Sequence, residues 1–153
     1  MKQKKAPKEE KLNYSLVNEP AVAYGSLDDA QALDLIQIIR KGLNYRKFHS
    51  LFQEAVFTLT EWSKILHISE RTMQRYESEN KSFDPIKSEK IIQIAMLHKY
   101  GISVFGSAQN FHTWLYSKSI AMGGMMPKDL LDSSLGIGLI QDELGRIEHG
   151  VLA

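Results

Sequence analysis

Between Thr60 and Ser78, side chains that can read nucleic-acid edges alternate with side chains that pack, at helical spacing. Arg71, Gln74, Arg75 and Ser78 recur three and four apart with Thr72 beside them, while Met73 and Tyr76 fall on the opposite face. A guanidinium donates paired hydrogen bonds to guanine, a carboxamide pairs with adenine, and threonine meets phosphate or a thymine methyl. Each good bidentate contact is worth roughly 1–3 kcal/mol of discrimination. Lys64, a few residues earlier, suits a backbone phosphate, which positions a protein without reading sequence. The alternative for the same residues is a solvated face with Arg71 and Arg75 simply hydrated.

To present that face, the chain needs two short helices at an angle. Leu59, Trp62, Ile65 and Leu66 predict a helix from about Thr58 to Leu66, and Ser69 can cap a second through about Glu77. Ser63 is small where the two would approach, and Ile68 is an apolar plug in the turn. This is the layout of a helix-turn-helix. The turn position of His67 is often glycine, because the backbone there tends toward positive φ, which histidine tolerates better than a β-branched residue.

The remaining elements also read as helices. Asp28-Asp29 can cap one carrying Leu35, Ile36 and Ile39 inward and closed by Gly42; Asn44 can cap another with Phe48, Leu51 and Phe52. Asp84-Pro85 starts a long helix expected to run to Tyr100 and stop at Gly101. Its apolar positions (Ile86, Ile91, Ile92, Ile94, Ala95, Met96, Leu97) wrap too far round for a surface helix, so it should pack on both halves of the chain. Ser107 caps a helix with Phe111, Trp114 and Leu115; a glycine-containing loop leads to Pro127 and a short helix over Leu130 and Leu131. The last helix, about Leu135 to His149, puts Ile137, Ile140, Leu144 and Ile147 on one stripe before Gly150. The fold class is all-α.

Composition narrows the chemistry. The chain has 153 residues with a formal charge of +1, 43% hydrophobic and 24% charged residues, so any basic surface must come from clustering. With no cysteine, thiol nucleophiles, disulfides and thiolate metal sites are excluded. The histidines His49, His67, His98, His112 and His149 form no i, i+4 pair, and Gly136-Ile137-Gly138 lacks the third glycine and preceding strand of a dinucleotide fold. No phosphate-binding P-loop or nucleophile elbow occurs, so no enzyme, cofactor or metal is expected. Met1 to Lys11, with five lysines and two glutamates, reads as a solvated tail or a basic arm. It lacks the apolar core of a secretory signal, and no apolar run is long enough to span a membrane, which makes the cytoplasm the expected location.

The end of the chain carries the most specific pattern. Phe111-His112-Thr113-Trp114-Leu115, Ala121 to Leu131 around Gly123-Gly124 and Pro127, Gly136, and Leu144 to Ala153 together resemble the toxin-binding domain of Xre/MbcA/ParS-type antitoxins. With the helix-turn-helix, Gly42-Leu43 and Ser82 to Lys90, the likeness covers roughly Gly42 to Ala153; Met126 stands where the family often has threonine. The resemblance implies a type II antitoxin whose partner is a RES-type toxin that consumes NAD or uses it to modify a target. It further implies a homodimer, repression of the antitoxin's own operon, and a C-terminal end laid over the toxin's active-site cleft. The contact strip would be Arg146, Glu148, His149, Gly150, Val151, Leu152 and Ala153, with the terminal carboxylate meeting cationic groups in a cleft shaped for an anionic dinucleotide. On this reading residues 1–26 are a flexible segment, 27–101 bind operator DNA and dimerise, and 102–153 bind toxin. Lys64, Ser69, Arg71, Thr72, Gln74, Arg75 and Ser78 would contact DNA. A stand-alone helix-turn-helix repressor without a toxin partner remains the alternative.

Overall fold

Local caps define most helix starts. In the computed structural model, which describes residues 28–53 and 57–150, seven α-helices follow one another with two 3-10 turns before the last. They are α1 (Asp29–Lys41), α2 (Tyr45–Leu51), α3 (Leu59–Leu66), α4 (Glu70–Glu79), α5 (Pro85–Phe105), α6 (Ala108–Leu115) and α7 (Ser134–Glu148). The 3-10 turns are Ile120–Met122 and Pro127–Leu130. Asp28, Asn44, Thr58, Ser69, Asp84, Ser107 and Ser133 each accept a backbone N–H of the first turn they precede. Such caps satisfy donors that a helix cannot pair internally. Two of them, Asp28 with Gln31 and Thr58 with Glu61, are reciprocal capping boxes.

α5 is the axis on which α1, α6 and α7 pack. Ile91, Ile92, Ile94, Ala95, Met96 and Leu97 are all buried, as expected for a helix enclosed on most sides. Toward the N-terminal half, Phe48, Phe52, Phe57, Trp62 and Phe83 form an aromatic cluster; Trp62 lies 4.6 Å from Phe52 and 4.9 Å from Phe48 between ring centroids. Toward the C-terminal half, Phe111, Leu115, Leu131, Ile137, Ile140 and Leu144 close the same core. Among the described residues no strand forms; Asn44 and Ser82 make one isolated bridge. The buried Ser88 hydroxyl donates to the Phe83 carbonyl at 3.2 Å and accepts from Leu43 N–H at 2.9 Å, locking α5 to that bridge.

Three expectations need correction. Gly101 does not end α5: the helix continues to Phe105 and stops at Gly106, whose φ is +78°. A Cβ at Gly101 would stand 2.2 Å from the Phe111 ring, so this glycine serves close helix packing. Ile86 is 79% exposed, because the first turn of α5 projects beyond the core. On α1 the buried pair is Leu35 and Ile38, three apart, whereas Ile36 is exposed and Ile39 only half-buried. The basic tail falls outside the described residues, and no helix among those described is long and apolar enough to cross a membrane.

Candidate functional site

Two surfaces gather the singled-out residues. The first is α4. Met73 is buried and Tyr76 packs beside the core, which turns Arg71, Gln74, Arg75 and Ser78 outward on one exposed face. The Ser69 hydroxyl accepts from Thr72 N–H at 3.1 Å and lies 2.9 Å from the Thr72 hydroxyl, so these two shape the helix start. Ser78 donates to the Arg75 carbonyl at 3.0 Å, and Lys64 is exposed on α3. His67 takes the left-handed conformation expected at the turn, with φ +54°, and Ser63 donates its hydroxyl to the Ile68 carbonyl across it. Arg71, Gln74 and Arg75 thus stand where a groove-reading helix carries its donors.

The second surface is the outer face of α7. Ile137, Ile140 and Leu144 face the core, but Ile147, expected on the same stripe, is exposed one turn past the core's edge, as are Leu135, Leu139, Arg146 and His149. Arg146 pairs with Glu143 at 2.8 Å. His149 Nδ1 donates to the Gly145 carbonyl at 2.7 Å, which places the proton on that ring nitrogen. Glu148 is not brought together with these two: it accepts from the Tyr100 hydroxyl on α5 at 2.6 Å. Burial, then the Glu148 hydrogen bond and charge, push the Tyr100 phenol up to about 12. Gly150 has φ +68°, and Val151, Leu152 and Ala153 lie outside the described residues.

A family model described as the antitoxin Xre-like helix-turn-helix domain matches residues 34–96, and one described as the antitoxin Xre/MbcA/ParS C-terminal toxin-binding domain matches residues 101–150. The chain belongs to the Xre/MbcA/ParS-type antitoxins. Among curated relatives, "Antitoxin Xre" of Yersinia enterocolitica serotype O:8 / biotype 1B (strain NCTC 13174 / 8081) is 25% identical over 120 residues, covering 78% of this chain and 81% of the relative. "Prs ADP-ribosylating antitoxin" of Sphingobium sp. (strain YBL2) is 24% identical over 143 residues, covering 88% and 90%. A regulator's helix-turn-helix joined to a partner-binding domain gives this antitoxin the constitution of a binding protein, with a toxin as partner.

Sequence reasoning missed the contacts between the antitoxin's two halves. Glu61, on α3, meets Lys128 Nζ at 3.0 Å and the Tyr116 hydroxyl at 2.9 Å. Burial pushes the Glu61 carboxyl up, but the Thr58 N–H, the Lys128 ammonium and the Tyr116 hydroxyl outweigh it and hold the carboxyl below its ordinary range. The Asp132 carbonyl accepts from Lys90 Nζ at 2.6 Å and lies 2.8 Å from His67 Nε2. His98 and His112, 14 apart in sequence, bring their Nε2 atoms within 2.8 Å. Among the described residues no group of three or more metal-ligating side chains forms. No sequence signal announces any of these pairs, because each joins distant segments.

Proposed function

We propose that this antitoxin neutralises a RES-type, NAD-consuming toxin by laying its C-terminal end over the active-site cleft, and represses its own operon as a homodimer in the cytoplasm. Residues 27–101 would bind DNA and dimerise and 102–153 would bind toxin, with α5 shared between the two roles. The observation that carries the reading is the outer face of α7. It presents Arg146 and His149 together at the end of the toxin-binding domain, just before the positive-φ turn at Gly150. Arg146, His149, Gly150, Val151, Leu152 and Ala153 would contact toxin, and Glu148, held by Tyr100, would anchor the strip. A guanidinium and an imidazole suit carbonyl or carboxylate acceptors on a partner's surface beside the cleft. On α4, Arg71, Gln74 and Arg75 would read bases, Thr72, Ser78 and Lys64 would meet the backbone, and Ser69 would cap the reading helix.

Co-expression with a RES-fold toxin, sought in the adjacent gene, tests the first half. An antitoxin lacking Val151 to Ala153 should melt like the full chain yet fail to prevent loss of cellular NAD; full protection by the shortened chain would refute the covering strip. For the second half, Arg75→Ala should lower affinity for DNA upstream of the antitoxin's own gene by about 5- to 100-fold at one stated salt concentration, while toxin capture is unchanged. Unchanged DNA affinity would refute that assignment.

A further inference from the structure

His67 breaks a local rule. Its φ of +54° is the conformation that glycine adopts most cheaply, so a histidine kept there must be compensated elsewhere. The compensation is visible in the side chain, whose Nε2 lies 2.8 Å from the Asp132 carbonyl. That carbonyl also accepts from Lys90 Nζ at 2.6 Å, and Lys90 reaches the Ile65 carbonyl on α3 at 3.4 Å. Asp132 immediately precedes Ser133, the residue that caps α7. His67 in turn lies two residues before Ser69, the cap of α4. A short path of main-chain links and one hydrogen-bonded carbonyl therefore runs from the start of the partner-facing helix to the start of the reading helix. The other end of α3 is fastened as well, by Glu61 to Lys128 and to the Tyr116 hydroxyl.

We propose that the toxin-binding domain sets how α4 is presented to DNA, with His67 as the positioning residue, so that the reading head is a composite of both domains. The inference rests on the DNA-reading role argued above. It gives the Asp132 carbonyl a function that neither surface alone requires. Movement of the α7 start is transmitted to the α3–α4 turn through the bonds from His67 and Lys90. The helix-turn-helix taken alone lacks this tie to the start of α7.

Two substitutions in the full chain separate positioning from folding. His67→Gly relaxes the turn but removes the tie. It should melt at or above the wild-type temperature, bind upstream DNA about five-fold more weakly, and exchange the Ile68 to Met73 amides faster in the free protein. His67→Gln strains the turn but retains a donor of similar reach. It should melt lower and keep its DNA affinity within about two-fold of wild type. A merely structural role would move melting temperature and affinity in the same direction. Unchanged amide exchange in His67→Gly overturns the tie whatever the DNA result, and faster exchange with unchanged affinity overturns the composite head. Failure of the wild-type chain to bind upstream DNA refutes the role given to α4, and the exchange comparison still decides the tie.

Discussion

Two glycines in one helix should respond oppositely to the same substitution. Gly136 lies in the first turn of α7, where its N–H donates to the Ser133 hydroxyl at 3.0 Å. A Cβ there would stand 1.9 Å from the Leu130 carbonyl oxygen and 2.7 Å from its carbon. Ordinary non-bonded contact is about 3.5 Å, so relief requires backbone movement of roughly 1.5 Å. Because the obstacle is main chain, the cost sits near the top of the overpacking range, about 3 kcal/mol. The helix-propensity gain of alanine over glycine offsets at most about 1 kcal/mol, leaving a net loss near 2 kcal/mol. At Gly138 nothing lies within 4 Å of the added carbon, so only the gain of roughly 1 kcal/mol applies. For a chain of this size each kcal/mol moves the melting temperature by about 2–4 °C. Gly136→Ala should therefore melt about 4–8 °C lower and Gly138→Ala about 2–4 °C higher, followed by circular dichroism at 222 nm under identical buffer. A Gly136→Ala protein that melts at or above wild type would refute the claim that α7 and the Pro127–Leu130 turn meet backbone to backbone.

The His98 imidazole is pushed down to about 4 by burial first, then by His112 and Lys99, against an ordinary value of 6.5. The unfolded chain thus binds the extra proton across that window, so stability should be complete above pH 6.5 and fall by on the order of 3 kcal/mol toward pH 4. Urea melts of His98→Gln should be flatter over the same range, and an equally steep profile would contradict the assignment. For Glu61 the sign is that of a carboxylate held below its ordinary value of 4.5. Its contribution is present above that value and is lost as pH falls through the folded-state value, so Glu61→Gln should weaken the protein at neutral pH and shrink its further loss below about pH 4.5. Ile140, wholly buried between α7 and α5, should cost about 2–5 kcal/mol on Ile140→Ala, measured as the shift in denaturant midpoint at constant slope.

What is legible along the chain is what acts over three or four residues. Asp28, Asn44, Thr58, Ser69, Asp84, Ser107 and Ser133 cap helices because a side-chain oxygen reaches an N–H in the next turn, and that reach is written in local order. The same reach makes the α3–α4 unit and the outward set Arg71, Gln74, Arg75 and Ser78 readable, with positive φ at His67 following from turn geometry. Glycine was ambiguous, because its one property serves both helix ends and close packing. Gly101 looked like a stop, but the ring of Phe111, ten residues on, makes it a packing site inside α5. Periodicity alone could not tell Ile36 from Ile38, because the direction of the core depends on where α5 lies. Glu148 was separated from Arg146 and His149 by Tyr100, 48 residues away. His98 met His112, and His67 met Asp132, only because α5 brings the two halves of the chain against one another. Side-chain partners of that kind are chosen by folded geometry, and no spacing rule along the chain encodes them.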